Sequence, residues 1–149
     1  MLFSLYKEST VMEVESIQDK ISIVQNSYGR CLASGDVLDT FYQEFLGSSP
    51  EIKERFKNTD FEKQKKLLKH GINLMIMFAA ENLAGKSGLK RIRESHDSKH
   101  LNINPKLYDL WKFCLLQAIK SHDYKYNNLV ESSWNNVLDK GIRYIKEGY

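Results

Sequence analysis

From Ile17 onward, apolar residues return at steps of three and four rather than two. Ile17, Ile21, Val24, Tyr28, Cys31 and Leu32 make one stripe, because a 3.6-residue turn stacks such positions on one helix face. Gly35 breaks that stripe and Asp36 is placed to cap the next helix, which carries Val37, Phe41, Phe45 and Leu46 to Gly47. "SSPEIKERF" reads as a short helix with Ser49 as cap and Pro50 in the first turn. Thr59 or Asp60 caps a long helix through Leu67, Leu68, Leu74, Met75 and Phe78, ending near Gly85. Leu89, Ile92 and His96 share one face of the helix after it. Asn104 caps a helix that opens at Pro105 and carries Leu110, Trp111, Cys114, Leu115 and Ile119. A turn over 123–127 leads to a last helix over about 129–145. Only "LNIN" and "DYKYNNLV" look strand-like, and both are weak. The expectation is an all-α chain of six or seven helices, with a short one after Pro50.

Helices so unequal in length do not make a simple four-helix bundle. They suit steep ridge-into-groove crossings, which can leave room for a cofactor. The 149 residues fit one domain. The first eleven residues lack a period and read as an N-terminal extension (1–11) ahead of the domain (12–149).

A net charge of +3 does not argue for a nucleic-acid or membrane partner. Cys31 and Cys114 are too few for a disulfide framework, so a reducing cytoplasm is expected. "MLFSLYKEST" meets Glu8 before any long apolar core, unlike a secretory signal, and "INLMIMFAA" is too short to span a bilayer.

His96 and His100 lie four apart. That spacing can chelate zinc on a helix, and "HDSKH" has the outline of H-E-x-x-H with Asp97 for the glutamate. No third ligand stands out, and Asn104-Pro105 draws the chain out of helix. Helical position leaves both histidines near one face; His96 is preferred as a ligand because it precedes the break. Lysines 57, 63, 65, 66 and 69 read as the wet side of an amphipathic helix. Taken alone, Tyr42 reads as a core tyrosine, Gln64 as a solvated residue, and Phe56 and Leu68 as core.

"TFYQEFLGSSPEIKERF" pairs Phe41-Tyr42 with Phe45, Pro50 and then Phe56. "TDFEKQKKLL" follows, and later "SHDSKHLNINPKLYDLW". In this order the segments resemble the globin domain of flavohaemoglobins and of single-domain bacterial globins, over roughly residues 16 to 145. The resemblance implies a globin fold around a haem b pocket. It makes His96 the iron ligand and places Phe56 against the haem face. Tyr42, Gln64 and Leu68 fall on the gas-binding side, and Tyr108 falls near the histidine. Leu89 and Ile92, on the His96 face, would wall the cofactor. A neutral imidazole on haem iron leaves one axial position open for a diatomic gas. Tyr42 and Gln64 are the candidate donors to the charge a bound gas acquires. His70 points away from Gln64, and Arg91, Arg93 and Lys99 are surface charges of which some could reach haem propionates.

Two departures mark the chain. The His96 to Tyr108 spacing is two residues longer than in flavohaemoglobins. The glutamate those proteins place on the last helix falls at Tyr149, with Glu147 the nearest carboxylate. A carboxylate behind the histidine favours O–O chemistry. The resemblance therefore implies reversible binding of oxygen and other diatomic gases by a carrier, scavenger or sensor, and leaves a homodimer open. Nitric oxide dioxygenase activity with a separate reductase is the alternative, since 149 residues leave no room for flavin and nicotinamide domains. A haem-free interaction module is a third reading.

Overall fold

Seven helices follow one another in the computed structural model, which describes residues 16–149. They are α1 (Ile17–Ser34), α2 (Val37–Ser48), α3 (Pro50–Arg55), α4 (Phe61–Ala79), α5 (Leu83–His96), α6 (Lys106–His122) and α7 (Asn128–Glu147). No strand occurs among the described residues, so the chain is all-α as its periodicity implies. The expected extension over 1–11 and the start of the domain at 12 lie outside the described residues.

Local sequence explains most boundaries. The Ser16 hydroxyl accepts from Asp19 N, the Asp60 carboxylate from Glu62 N and Lys63 N, and the Asn127 amide oxygen from Val130 N. Each satisfies amides that the first turn of a helix leaves without partners. Asp36 and Ser49 occupy cap positions without such a bond. Asn104 accepts from Lys106 N at 3.1 Å, and α6 opens just after Pro105. "LNIN" is loop rather than strand because its amides serve the end of α5: Leu101 N donates to Ser95 O and Ile103 N to His96 O. "DYKYNNLV" is a turn that runs into α7.

Two expectations fail. The long helix stops at Ala79 rather than near Gly85, because Glu81 turns into the left-handed region (φ 59°) and Asn82 caps a new helix through Ala84 N and Gly85 N. Gly85 lies inside α5 as a contact residue. A Cβ there would stand 2.6 Å from the Phe78 main-chain nitrogen, so only glycine lets α5 meet α4 this closely. At Gly88 the obstruction is the flexible end of Leu74. Leu67 is the second failure: it is 62% exposed, while Leu68 beside it is buried. One helical step of 100° carries Leu67 off the buried stripe.

α1 packs on α7, α2 on α6, and α4 on both α5 and α7. Val24, Ile72, Leu89, Ile119, Trp134 and Leu138 form the centre of the core and are fully buried. Each such aliphatic side chain contributes about 1.5–3 kcal/mol on leaving water. One polar cluster sits within this core. The Asp123 carboxylate accepts from Ser27 Oγ (2.6 Å), from Arg30 Nε (2.5 Å) and Nη2 (3.0 Å), and from Lys125 N (2.9 Å). Trp134 Nε1 donates to the same Ser27 hydroxyl at 2.9 Å. The cluster ties α1 to the α6–α7 corner and to the middle of α7. Both cysteines are free and buried, and burial pushes the Cys31 thiol up to about 12. No helix among the described residues is long and apolar enough to cross a membrane.

Candidate functional site

The α4–α5 hairpin organises the site. Gly85 and Gly88 draw the two helices together at their corner. Gln64 near the start of α4 and His96 at the end of α5 lie towards the opposite, free ends. α2 brings Tyr42 to Gln64, and α6 brings Tyr108 to His96.

His96 is the last residue of α5, and its ring is half-buried. Ser95 Oγ donates to the Ile92 carbonyl at 2.9 Å and lies 2.9 Å from His96 Nδ1. With its proton spent on Ile92, that hydroxyl can only accept from Nδ1–H. The tautomer is thereby set, and Nε2 carries the free lone pair. Burial lowers the imidazole pKa while the Ile92 carbonyl opposes the shift, so the ring is neutral at pH 7. A neutral imidazole with its second nitrogen engaged is the form that binds metals.

His100 has a different setting. It lies past the helix end with its side chain 63% exposed, and Nδ1 is 2.7 Å from Asp97 Oδ1. Asp97 also accepts from Lys99 N and His100 N, and the His100 contact foremost holds its carboxyl below the usual range. The pair is not a chelate, and among the described residues no group of three or more His, Cys, Asp or Glu side chains could hold a metal ion. The zinc reading has no site there.

Around His96 the surroundings are apolar. Leu89 is fully buried, Ile92 is half-buried, and the Tyr108 ring centroid lies 6.4 Å from that of the imidazole. Burial pushes the Tyr108 phenol up to about 12. The loop over 97–105 separates His96 from α6, and within it Asn102 takes φ 52°. The Tyr149 hydroxyl donates to Asn102 Oδ1 at 2.6 Å rather than to the imidazole. Glu147 lines a separate cleft of about 530 Å³ with Phe78, Leu83, Lys140 and Tyr144, and none of Tyr42, Phe56, Gln64, Leu68, Leu89, Ile92, His96 and Tyr108 lines it. The hydrogen-bond partner of His96 Nδ1 is thus the Ser95 hydroxyl rather than a carboxylate.

On the α4 side, Tyr42 is buried among Phe41, Phe56 and Phe61, with centroids 5.0, 6.0 and 5.4 Å away. Its hydroxyl donates to the Gln64 main-chain carbonyl at 3.3 Å. Burial pushes the phenol up to about 12, and the Gln64 side chain pulls it part of the way back. Tyr42 and Gln64 therefore stand together, although the one phenolic proton is committed to backbone. Gln64 is half-buried, Leu68 is buried, and His70 is exposed and turned elsewhere. Lys63, Lys66 and Lys69 are exposed, and Lys65 pairs with Asp39 and Glu62, as a solvated helix face requires. Arg91 is exposed, whereas Arg93 lies 4.7 Å over the Tyr144 ring.

Two contributors escaped the sequence reading. Phe61 completes the aromatic cluster; its signal was an aromatic three residues before Gln64, hence on the same helix face. Ser95, which orients His96, has no signal beyond adjacency.

An all-α chain with the half-buried His96 imidazole and a paired tyrosine and glutamine defines a class rather than a single activity. The family model for globins matches residues 39–145. A crystal structure of protein PA3967 from Pseudomonas aeruginosa PAO1, described as structurally highly homologous to a human hemoglobin, superposes with a TM-score of 0.84. It is 40% identical and covers 87% of this chain and 98% of its own. No curated protein matches the chain. The chain belongs to the globin family.

Globins generally carry haem, and the donor set here fits that group. Haem iron in a globin takes one protein imidazole and apolar walls. His96 offers a free Nε2 beside Leu89, Ile92 and Tyr108.

Proposed function

We propose that this globin binds haem b through its iron and reversibly holds oxygen and other diatomic gases, as a cytoplasmic carrier, scavenger or sensor. The supporting observation is the His96 ring: neutral, oriented through Ser95 and Ile92, with Nε2 free in apolar surroundings. Haem supplies the coordination position at which the gas binds. In this reading His96 ligates iron, and Phe56, Leu68, Leu89, Ile92 and Tyr108 enclose the cofactor. The Gln64 amide is the first donor to the gas, because Tyr42 already gives its proton to the Gln64 carbonyl. Tyr42 is the second donor, reached by a small turn of its hydroxyl. Preorganised donors stabilise charge without moving at the moment of binding. A separate reductase keeps the iron ferrous.

The carrier reading is favoured over nitric oxide dioxygenase by what stands behind His96. A carboxylate there would make the imidazole a stronger electron donor. A serine hydroxyl is a weaker partner.

Oxygen dissociation followed by stopped flow tests the assignment. Gln64→Leu is expected to speed release about tenfold, the equivalent of one hydrogen bond. Tyr42→Phe is expected to speed release by less. Unchanged rates in both variants would remove the pair from the gas site.

A further inference from the structure

The loop over 97–105, which follows His96, is gripped from outside by a residue with no role so far. Arg55, at the end of α3, donates from Nη1 to the Leu101 carbonyl (3.2 Å) and from Nη2 to the Asn102 carbonyl (2.8 Å). Its Nε lies 3.9 Å from Glu51, one turn back on α3. A planar guanidinium suits two neighbouring acceptors, and a charged donor makes each bond stronger than a neutral one would. Asn102 is held on its other side as well, where Tyr149 donates to its side chain. Ser98 N reaches the Tyr149 carbonyl at 3.3 Å. Inside the loop, Leu101 N and Ile103 N return to the carbonyls of Ser95 and His96. A pull on residues 101–102 therefore reaches the last turn of α5 through two hydrogen bonds.

At its other end, the strap leads to the aromatic cluster. Phe56 follows Arg55 in the chain, and its ring lies 6.0 Å from Tyr42 and 6.3 Å from Phe61. α4 and α5 are sealed at their corner by Gly85 and Gly88. At their remote ends, Arg55 joins the chain entering α4 to the chain leaving α5.

We propose that Arg55 is a strap across the free end of the α4–α5 hairpin, a positioning residue that holds the loop over 97–105, steadies His96 and slows the departure of haem. The loop-holding part stands on the hydrogen bonds alone; the haem part rests on the function proposed above. Arg55→Ala removes both bonds, and Arg55→Lys keeps the charge but replaces the fork with a single nitrogen.

The test is amide hydrogen exchange of residues 98–104, in haem-free and haemin-loaded protein, together with haemin transfer to an excess of a scavenging apoglobin. Arg55→Ala should speed exchange at Leu101, Asn102 and Ile103 several-fold in both forms and leave α6 and α7 unchanged. Haemin transfer should quicken about tenfold, the worth of a charge-assisted bond. Arg55→Lys should fall between Arg55→Ala and the parent. Unchanged exchange in Arg55→Ala overturns the strap. Faster exchange with unchanged haemin transfer overturns its control of the cofactor. A parent protein that takes up no haemin overturns the proposed function instead, and exchange in the haem-free form still decides the strap.

Discussion

His96→Ala is expected to abolish stable haem retention, while His100→Ala retains the cofactor. The two imidazoles are four residues apart but differ in every property that matters for ligation. His96 ends α5 with its ring half-buried and its Nδ1 proton absorbed by a hydroxyl that has no other use for its lone pair. His100 is largely exposed, with its Nδ1 taken by Asp97. Loss of an outer partner of a metal ligand costs about 10–100-fold in affinity. Loss of the ligand itself must exceed that, so haemin added to His96→Ala should pass to a scavenging apoglobin within mixing or minutes. Visible spectra of both variants after haemin addition and gel filtration check this. Retention in His96→Ala with loss in His100→Ala would reassign the ligand.

Asp123→Ala is expected to cost about 3 kcal/mol of stability, because it takes the shared acceptor from a buried hydroxyl, a main-chain amide and a partly buried guanidinium. For a chain of this length that lowers Tm by about 6–12 °C. Asp123 is the shared acceptor of Ser27, Arg30 and the Lys125 amide, and Ser27 in turn receives the Trp134 indole. Removing the carboxylate leaves Arg30 unpaired and frees the hydroxyl that orients the tryptophan. Thermal unfolding followed by tryptophan fluorescence reads the effect. A loss below about 1 kcal/mol, the range of an exposed pair, would contradict it.

The same carboxylate sets a pH dependence. Burial pushes Asp123 up, but Arg30, Ser27 and the Lys125 amide outweigh it and hold the group below the usual carboxylate range. The unfolded chain, with an aspartate near the ordinary value of about 3.9, takes up the proton first. Asp123 therefore contributes its full stabilisation above about pH 4 and loses it as pH falls through the lower folded-state value. Asp123→Asn should flatten the acid limb of the stability curve below that pH.

Much of this architecture can be read from spacing alone. Helices with long apolar stripes, such as α1, or with a legible cap, such as α4 with Asp60, form where the repeat places them. The reading erred where tertiary contact outranked local chemistry. Gly85 looks like a terminator, yet it sits inside α5 because the neighbouring α4 backbone leaves no room for a Cβ. Leu67 belongs to an apolar run but falls one step outside the buried arc. For the candidate site, the order of aromatic, proline and histidine segments nominated Tyr42, Phe56, Gln64 and His96, and of these the structure brings Tyr42 beside Gln64 and Phe56. Periodicity could not tell which way a phenol donates, and the bond from Tyr42 to the Gln64 carbonyl is visible only in three dimensions. Arg55 is the extreme case. Its partners are main-chain carbonyls 46 and 47 residues away, and a carbonyl has no side-chain identity for a sequence pattern to register.

The whole account depends on one imidazole holding a haem group. The direct measurement is the visible spectrum of the purified protein loaded with haemin, recorded oxidised, reduced, and reduced under carbon monoxide. A strong Soret band is expected that shifts on reduction and again on formation of a stable carbon monoxide complex. A protein that remains colourless and leaves added haemin in the unbound state would contradict it.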